Sequence, residues 1–494
     1  MNWIITLLAA ALNVAAWSTP GSLECAALGW SSVALFVVAL ALPSKRLKRF
    51  FVAGCLIYIG GFYWLFSTIK DFGGFPLIAA IPIYLLFVCG SAVQFLIWAF
   101  ARQNLPTIFS RLGLASAFSW LIAHHFWIKI FPWDFGHTQL AFSPLAQIAD
   151  VLGVTGITFL MMWVAEAICA RKTVILPARV TAVVALMAAV SYGIAMEESV
   201  PALPGTSVKT LLIQGNISLH QKHNVQYFTV NRDQYLKISA QVAEKDSLVV
   251  WPESTITEFI PATITEARFS SLLPFLNNGS AFLVGGLTFK SRAEYYNSSI
   301  LIRPDGSVAE PYNKMILMPF GEYTPLSSVL PFLADINATA AQFTPGDAPK
   351  VLSFHLSNGT EVKIAPLICY EDIIPSLGRE AVLKGAEVLI NQTNDAWFGD
   401  TVAPYQHNLI ASFRAIENRR YLLRSTNTGL TSVIDPLGRM LASLAPYSEG
   451  VLPMEITLLS HKTIFTRYPV SIAWLIAAAV GTFIVAFRTV KRRF

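Results

Sequence analysis

Three residues in the polar half of the chain have the side chains of a nucleophilic site. Cys369 ends the apolar run in IAPLICYED (364–372), Glu253 follows the apolar run LVVWP, and Lys314 lies in YNKMILMPFGEYTP. A cysteine thiol has an unperturbed pKa above neutrality, so it needs a base before it attacks. A neighbouring carboxylate can take the proton, and a lysine can stabilise the thiolate and the oxyanion formed at a carbonyl. The set therefore predicts nucleophilic catalysis by Cys369.

Each of these residues also has an ordinary interpretation when it is taken alone. Glu253 could be a solvated turn residue, Lys314 a surface lysine and Cys369 a buried core thiol. The other four cysteines lie in apolar runs, where a cysteine usually acts as a small hydrophobic residue. The catalytic hypothesis depends on the three residues occurring together, because two of them directly follow predicted strands.

The region 197–466 predicts an α/β domain that would position these residues. Buried strand patterns alternate with helical patterns, and hairpins are predicted around Asp305-Gly306 and over TSVIDPLGRMLASL. This alternation indicates a layered sheet with helices outside it. We expect tethers at 197–206 and 453–468. The predicted strands are VKTLLIQGN, SLVVWP, SAFLVGGLTF, VKIAPLIC and EVLINQT, and the predicted helices are 224–244, 263–276, PSLGREAVLKGA and 403–421.

The rest of the chain has the composition of a membrane protein. Hydrophobic residues make up 54% of the chain and charged residues only 13%, against about a quarter charged residues in soluble proteins. The mean hydropathy is +0.53. About 20 apolar residues cross a bilayer. Eight candidate spans lie near 3–18, 24–43, 50–68, 75–100, 113–131, 146–170, 179–196 and 469–487.

Basic segments predict how these spans are oriented. Lys and Arg cluster in 45–49, 102–111, 171–179 and 491–493, which follow the second, fourth, sixth and eighth spans. The positive-inside rule places all four on the cytoplasmic side if the N-terminus starts there. The domain 197–466 would then lie on the outer, periplasmic face of a bacterial membrane. No basic patch is interleaved with aromatic residues, so we expect no nucleic-acid partner.

The order of the polar motifs resembles the nitrilase superfamily. Within that superfamily, a catalytic domain held between membrane spans resembles the apolipoprotein N-acyltransferase family. The resemblance implies a membrane domain of seven helices over 1–196, an α-β-β-α sandwich over 197–466, and an eighth helix with a basic cytoplasmic tail over 467–494. The motifs that carry it are WPE (251–253), NK (313–314), PFGEYTP (319–325), ICYE (368–371) and NDAWFGD (394–400).

The resemblance also assigns roles to residues of this sequence. Glu253 is implied to be the general base, Lys314 the oxyanion and thiolate stabiliser, and Cys369 the nucleophile. Lys222 is followed by His223 where the family usually has tryptophan. Supporting residues are Glu322, which would hold the lysine, Tyr370, whose backbone N–H would be a second oxyanion donor, and Glu371, and the candidate substrate-binding residues are His223, Asn391, Asp395 and Trp397.

The implied reaction is acyl transfer in two steps through a cysteine thioester. A membrane phospholipid would be the donor, and the amino-terminal diacylglyceryl-cysteine of an apolipoprotein would be the acceptor. We expect ping-pong kinetics, contact with membrane lipids, a monomer, an inner-membrane location with both termini cytoplasmic, and neither metal nor cofactor.

Three other functions stay open on the sequence alone. A membrane-tethered amidase or nitrilase acting on small carbon–nitrogen substrates fits the same triad, but it leaves eight spans unexplained. A transporter or channel is disfavoured because the spans contain few ionisable residues. A non-catalytic paralogue is kept open by His223.

Overall fold

The computed structural model describes residues 2–222, 224–263, 279–291, 293–319, 321–323 and 342–468. The predicted helix 263–276, apart from its first residue, the predicted eighth span and His223 lie outside these residues. The chain divides into two compact units, which are described separately. The helical unit contains the chain up to Tyr63, Leu85–Pro201 and the segment from Lys462. The sandwich unit contains Trp64–Tyr84 and Ala202–His461.

The N-terminal region of the chain is helical. Its helices are α1 (Asn2–Ser18), α2 (Leu23–Ala41), α3 (Arg46–Gly61), α4 (Trp64–Ser67), α5 (Leu77–Asn104), α6 (Thr107–Arg111), α7 (Ala115–Phe126), α8 (Ser143–Ala146), α9 (Ala149–Cys169) and α10 (Leu176–Ser199). A π-helical turn, Thr68–Phe72, follows α4 directly.

Four helices in the described part of the chain are long and apolar enough to cross a membrane, namely α2, α5, α9 and α10. A fifth results if Arg46–Gly61 and Trp64–Asp71, which form a bent pair, are one span. The predicted span 50–68 is thus interrupted, and the break follows Gly60 and Gly61, a usual cause of helix kinks. The predicted span 113–131 is helical only over Ala115–Phe126. The total of eight spans stays a prediction.

Aromatic side chains form the core of the helical unit. Trp98 and Trp120 are fully buried, and their ring centroids are 4.9 Å apart in an edge-to-face arrangement. Phe135 packs on Trp120 at the same centroid distance. Edge-to-face aromatic pairs contribute beyond the area that they bury. These contacts fix α5, α7 and the 3-10 helix Phe135–Gln139 against one another.

Two β-sheets form the sandwich unit. The first contains seven strands in the described residues: β1 (Ser207–Gln214), β2 (Ser247–Val250), β3 (Ile256–Pro261), β4 (Ala281–Ser291), β5 (Glu294–Ile302), β6 (Tyr312–Asn313) and β13 (Gly450–Thr457). Its order is β13-β1-β2-β4-β5-β6, with β3 paired to β4. The second sheet, ordered β12-β11-β10-β9-β8-β7, contains β7 (Leu352–His355), β8 (Glu361–Ile368), β9 (Val388–Thr393), β10 (Tyr421–Thr426), β11 (Thr431–Ile434) and β12 (Met440–Leu444).

Apolar residues of both sheets meet in a common core. Leu212 and Val250 of the first sheet cluster with Ile364, Ile390 and Leu423 of the second. Helices cover the outer faces: α12 (Phe228–Val242) packs beside β1 and β3, whereas α13 (Pro375–Leu383) packs beside β8 and α14 (Ala403–Asn418) beside β10. The predicted layered sheet with helices outside is therefore confirmed. The helices of this unit are α11 (Leu219–Lys222), α12 (Phe228–Val242), α13 (Pro375–Leu383) and α14 (Ala403–Asn418), and α15 (Ile464–Arg467) follows in the helical unit.

The predicted tether 453–468 is wrong over its first residues. Gly450–Thr457 forms β13, which pairs antiparallel with β1 from Gly450 opposite Gln214 to Thr457 opposite Ser207. The strand contains Pro453, and proline cannot donate a hydrogen bond to a ladder. The strand lies at the edge of the sheet, where the missing donor is tolerated.

We expect Leu423→Ala to destabilise the sandwich, because Leu423 is fully buried between the sheets. The free energy of unfolding should fall by roughly 2–5 kcal/mol. Thermal unfolding of the detergent-solubilised full chain measures the change. Leu441→Ala is the matched control, since Leu441 is 45% exposed on β12. Equal unfolding temperatures for the two variants would contradict this description of the core.

Candidate active site

Cys369 lies at a strained turn between a strand and a 3-10 helix. Strand β8 ends at Ile368, and the 3-10 helix Cys369–Ile373 begins immediately. Cys369 has φ +53°, a left-handed conformation that side chains other than glycine rarely adopt. The Asn391 side chain stabilises the turn, because its Nδ2 donates to the carbonyls of Cys369 (2.9 Å) and Leu367 (3.2 Å). Strain of this kind is typical of functional residues.

Lys314 is buried between two carboxylates. Its Nζ lies 2.8 Å from Glu322 Oε2 and 3.4 Å from Glu253 Oε1, and its side chain is 1% exposed. Burial alone would lower the pKa of Lys314, but the carboxylates of Glu322 and Glu253 raise that pKa well above its ordinary value. The lysine is therefore a fixed positive charge beside the thiol.

The Asn297 side chain also connects the carboxylates of Glu253 and Glu322. Its Nδ2 donates to Glu253 Oε1 (2.8 Å) and to Glu322 Oε1 (3.0 Å). Its backbone carbonyl accepts a hydrogen bond from the Lys314 backbone N–H at 2.8 Å. Strand β5 thus supplies a residue that positions both glutamates and the lysine. Asn297 could not be predicted as a site residue, because it lies in an ordinary strand pattern.

The environment of Cys369 keeps its thiol protonated in the resting protein. Burial raises the pKa of Cys369 most, the charges of Glu253 and Glu322 raise it further, and Lys314 and a hydrogen bond with Thr393 oppose them. The net direction is strongly upward. A thiol in this state needs a base during attack, and Glu253 is the carboxylate with the larger effect on its pKa.

Glu371 joins the cysteine turn to the lysine loop. Its Oε1 accepts hydrogen bonds from the backbone N–H groups of Met315 (2.6 Å) and Ile316 (3.1 Å). Its Oε2 accepts from Tyr312 Oη (2.7 Å) and from the Ile368 backbone N–H (2.7 Å). Burial raises the pKa of Glu371, although these donors oppose the shift. These four donors satisfy one fully buried carboxylate. Glu371 therefore fixes the loop of Lys314 relative to the turn of Cys369.

Lys222 is a second buried lysine of the site. From the sequence it was only the residue before His223. Its Nζ donates to the backbone carbonyl of Glu253 at 2.7 Å. Burial lowers the pKa of Lys222 to about 8, although the charge of Glu253 opposes the shift. The only sequence signal for Lys222 was its position a few residues after Gln214-Gly215-Asn216. Its partner, the Glu253 carbonyl, follows a different strand and could not be predicted.

The predicted substrate-binding residues have different surroundings. Asn391 and Asp395 are buried, and Trp397 is half-buried. The Trp397 carbonyl accepts a hydrogen bond from Thr68 Oγ1 at 2.9 Å. Trp64 packs edge-to-face on Phe398, with ring centroids 4.8 Å apart. The segment after β9 is thus anchored by α4 and the π-helical turn. Tyr370 is mostly buried beside the nucleophile, and burial raises the pKa of its hydroxyl.

We expect Gly285→Ala to displace the turn that contains Glu253. A Cβ atom at Gly285 of β4 would lie 2.2 Å from the Pro252 carbonyl oxygen and 2.8 Å from Glu253 Cα, both of which are backbone atoms. Overpacking of this kind costs roughly 1–3 kcal/mol of unfolding free energy. Thermal unfolding measures the loss.

The neighbouring glycine provides the matched control. A Cβ atom at Gly286 would meet only the end of the Ile300 side chain, at 3.1 Å, and Ile256 atoms beyond 3.5 Å. Gly286→Ala should therefore unfold near the wild-type temperature. If the two variants unfold alike, the close approach of the Glu253 turn to β4 is not a constraint.

Both parts of the chain match known families. Residues 9–167 match the apolipoprotein N-acyltransferase N-terminal domain, and residues 212–462 match the carbon-nitrogen hydrolase family. The sandwich is also similar to the solved structure of a Nesterenkonia AN1 amidase, which is from the nitrilase superfamily. The identity is 20% and the TM-score 0.39, over 55% of this chain and 97% of the amidase.

Two relatives that match most of the chain are both apolipoprotein N-acyltransferases. An apolipoprotein N-acyltransferase from Geobacter metallireducens is 31% identical over 514 residues, which cover 100% of this chain and 96% of the relative. Another from Pseudomonas syringae pv. tomato is 30% identical over 458 residues, or 88% of each protein. With this identity along its whole length, and with both domains present in order, the chain belongs to the apolipoprotein N-acyltransferase family.

Proposed function

We propose that Cys369 carries an acyl group from a membrane phospholipid to the amino terminus of an apolipoprotein. The chain is an acyltransferase of lipoprotein maturation, and what is proposed is how its residues do this. The observation that supports the proposal is the buried ion cluster at the strained cysteine. Lys314 contacts Glu253 and Glu322, and the charges of all three act on the Cys369 thiol.

In the first step the thiol becomes an acyl thioester. Glu253 takes the proton from Cys369 as sulfur attacks the ester carbonyl of the phospholipid. Lys314 and the Tyr370 backbone N–H stabilise the oxyanion of the tetrahedral intermediate. Collapse breaks the ester C–O bond, and the leaving alkoxide receives the proton from Glu253. Lysophospholipid departs, and Glu253 is ionised again.

In the second step an amine takes the acyl group. The unprotonated α-amino group of the diacylglyceryl-cysteine attacks the thioester carbonyl, and Glu253 accepts the proton that the nitrogen loses. The C–S bond breaks, the amide leaves with the apolipoprotein, and Glu253 returns its proton to the sulfur. Two half-reactions through one covalent intermediate predict ping-pong kinetics.

The supporting residues have positioning roles in this scheme. Glu322 holds the Lys314 ammonium at 2.8 Å, and Glu371 holds the lysine loop through backbone N–H groups. Asn391 donates to the Cys369 carbonyl, so its amide supports the turn. Among the three predicted substrate-binding residues that the structure describes, Trp397 has the most exposed side chain, and we propose that it contacts an acyl chain. We propose His223 as a further substrate-binding residue.

The proposed setting is the bacterial inner membrane. Seven spans over 1–196 and an eighth over 467–494 would hold the catalytic domain, 197–466, on the periplasmic side of a monomer with both termini cytoplasmic. Two observations support this arrangement. The basic segments alternate with the predicted spans, and four or five described helices have the length and hydropathy of spans. Both substrates carry acyl chains, so the reaction belongs at a bilayer surface.

We expect Cys369→Ala to abolish acyl transfer, because no thioester can form without the sulfur. Transfer from phospholipid to a diacylglyceryl lipopeptide, measured in detergent micelles, is the assay. Cys169→Ala is the matched control, since Cys169 is an exposed cysteine at the end of α9. Full transfer by the Cys369 variant would contradict the proposal. Turnover of a small amide by the wild-type chain, with no lipid transfer, would instead favour an amidase.

We expect Lys222→Met to lower kcat for acyl transfer by roughly 10- to 100-fold, the cost of losing a charged hydrogen bond to the general-base residue. Methionine keeps the length of the buried side chain but cannot donate to the Glu253 carbonyl. Lys237→Met, at an exposed position of α12, is the control. An unchanged kcat in the first variant would show that the Lys222 contact does not support Glu253.

A further inference from the structure

His407 lies between two buried carboxylates behind the nucleophile. Its Nε2 is 2.6 Å from Asp372 Oδ1, and its Nδ1 is 3.2 Å from Asp395 Oδ1. The two carboxylate side chains have no measurable exposure, and the histidine side chain is 9% exposed. An ionised carboxylate only accepts hydrogen bonds, so an imidazole that faces one at each nitrogen must donate from both. With both carboxylates ionised, this geometry favours the protonated, positively charged form of His407.

The first carboxylate belongs to the turn of the nucleophile. Asp372 is in the 3-10 helix Cys369–Ile373. Its other oxygen, Oδ2, accepts from Arg424 Nε at 2.9 Å, and Arg424 Nη1 donates to Asn408 Oδ1 at 3.2 Å. The cysteine turn is therefore bound through one side chain to α14 and to β10.

The second carboxylate belongs to the segment after β9. Asp395 begins the 3-10 turn Asp395–Phe398. Its Oδ2 packs against Gly429, where an added Cβ atom would lie only 2.2 Å from that oxygen. The absence of a side chain at Gly429 leaves room for this oxygen, while Oδ1 faces the imidazole. His407 connects two turns that flank the site, and each of them follows a strand of the second sheet.

We infer that protonated His407 is a positioning residue of the acyl transfer: it ties the Cys369 turn to the Asp395–Phe398 turn and so fixes the sulfur for attack. The inference rests on the proposed role of Cys369 as nucleophile. His407 acts through Asp372 and does not itself react.

The charges around His407 support a pH-dependent link. Burial, the largest single effect, would lower its pKa, but the charge and hydrogen bond of Asp372 and the hydrogen bond of Asp395 together raise the pKa to about 9, against burial and the charge of Arg424. In the described part of the chain, Asp372, Asp395 and Arg424 are the charged groups that act on its pKa, the Phe398 ring is 6.4 Å away, and its helix neighbours Gln406 and Asn408 are neutral. A folded-state pKa above the unfolded value of about 6.5 gives a stabilisation that is complete below 6.5. It is lost as pH rises through about 9.

The rate at which phospholipid acylates Cys369 tests the inference. Acylation of the wild-type chain, of His407→Gln and of the control His355→Gln, an exposed histidine at the end of β7, is followed by mass spectrometry between about pH 7 and 10. At pH 7, His407→Gln should acylate roughly 10- to 100-fold more slowly, as expected for a misplaced nucleophile. The ratio of wild-type to variant rates should fall toward one as pH rises, because the wild-type imidazolium is then lost.

A constant ratio across this pH range would overturn the inference, as would equal rates at pH 7. Lys222, whose pKa is about 8, titrates in both proteins and so cancels in the ratio. If His407→Gln does not fold, Asp395→Asn replaces it. Loss of one negative neighbour should lower the His407 pKa. The fall of the acylation rate at alkaline pH should then shift to lower pH by about half a pH unit or more, and an unshifted fall overturns the inference. Failure of the wild-type chain to form any Cys369 adduct would overturn the proposed function instead.

Discussion

One buried ammonium group holds two carboxylates that would otherwise repel each other. Lys314 contacts both Glu253 and Glu322, and Asn297 donates to the same two side chains. Removing one partner from a buried ion pair costs about 3–5 kcal/mol, because the remaining charge is left uncompensated. The lysine therefore stabilises the ground state of the protein as well as the oxyanion, so the loss of activity in a Lys314 variant does not separate these two effects.

The cluster also determines the state of the nucleophile. Burial and two nearby carboxylates raise the pKa of Cys369, so the resting thiol is neutral. A neutral thiol is a poor nucleophile. It becomes reactive only while Glu253 takes its proton, which couples reactivity to a bound carbonyl. That coupling needs accurate placement of the sulfur. Two hydrogen bonds fix the turn: Asn391 donates to the Cys369 carbonyl, and the Ile368 N–H donates to Glu371.

The sequence was informative where function depends on local motifs. Glu253, Lys314 and Cys369 could be predicted because each follows a recognisable strand or lies in a long motif. Asn297 and His407 could not, because their partners come from strands and turns that are distant in sequence and become neighbours only through sheet order. β13 was missed because Pro453 disfavours a strand except at an edge, and sequence periodicity does not show which strand is at an edge. The helix α7 is shorter than its apolar run, because an apolar run does not determine where a helix ends.

The central claim is that Cys369 carries the acyl group. Incubation of the wild-type chain with a phospholipid of defined acyl chains, without acceptor peptide, followed by mass spectrometry of the proteolysed protein, tests it most directly. We expect one acyl chain on the Cys369 peptide, bound as a thioester that neutral hydroxylamine removes and that an added diacylglyceryl lipopeptide discharges. Acyl transfer to the lipopeptide without any acylated Cys369, or an adduct on a different residue, would contradict it.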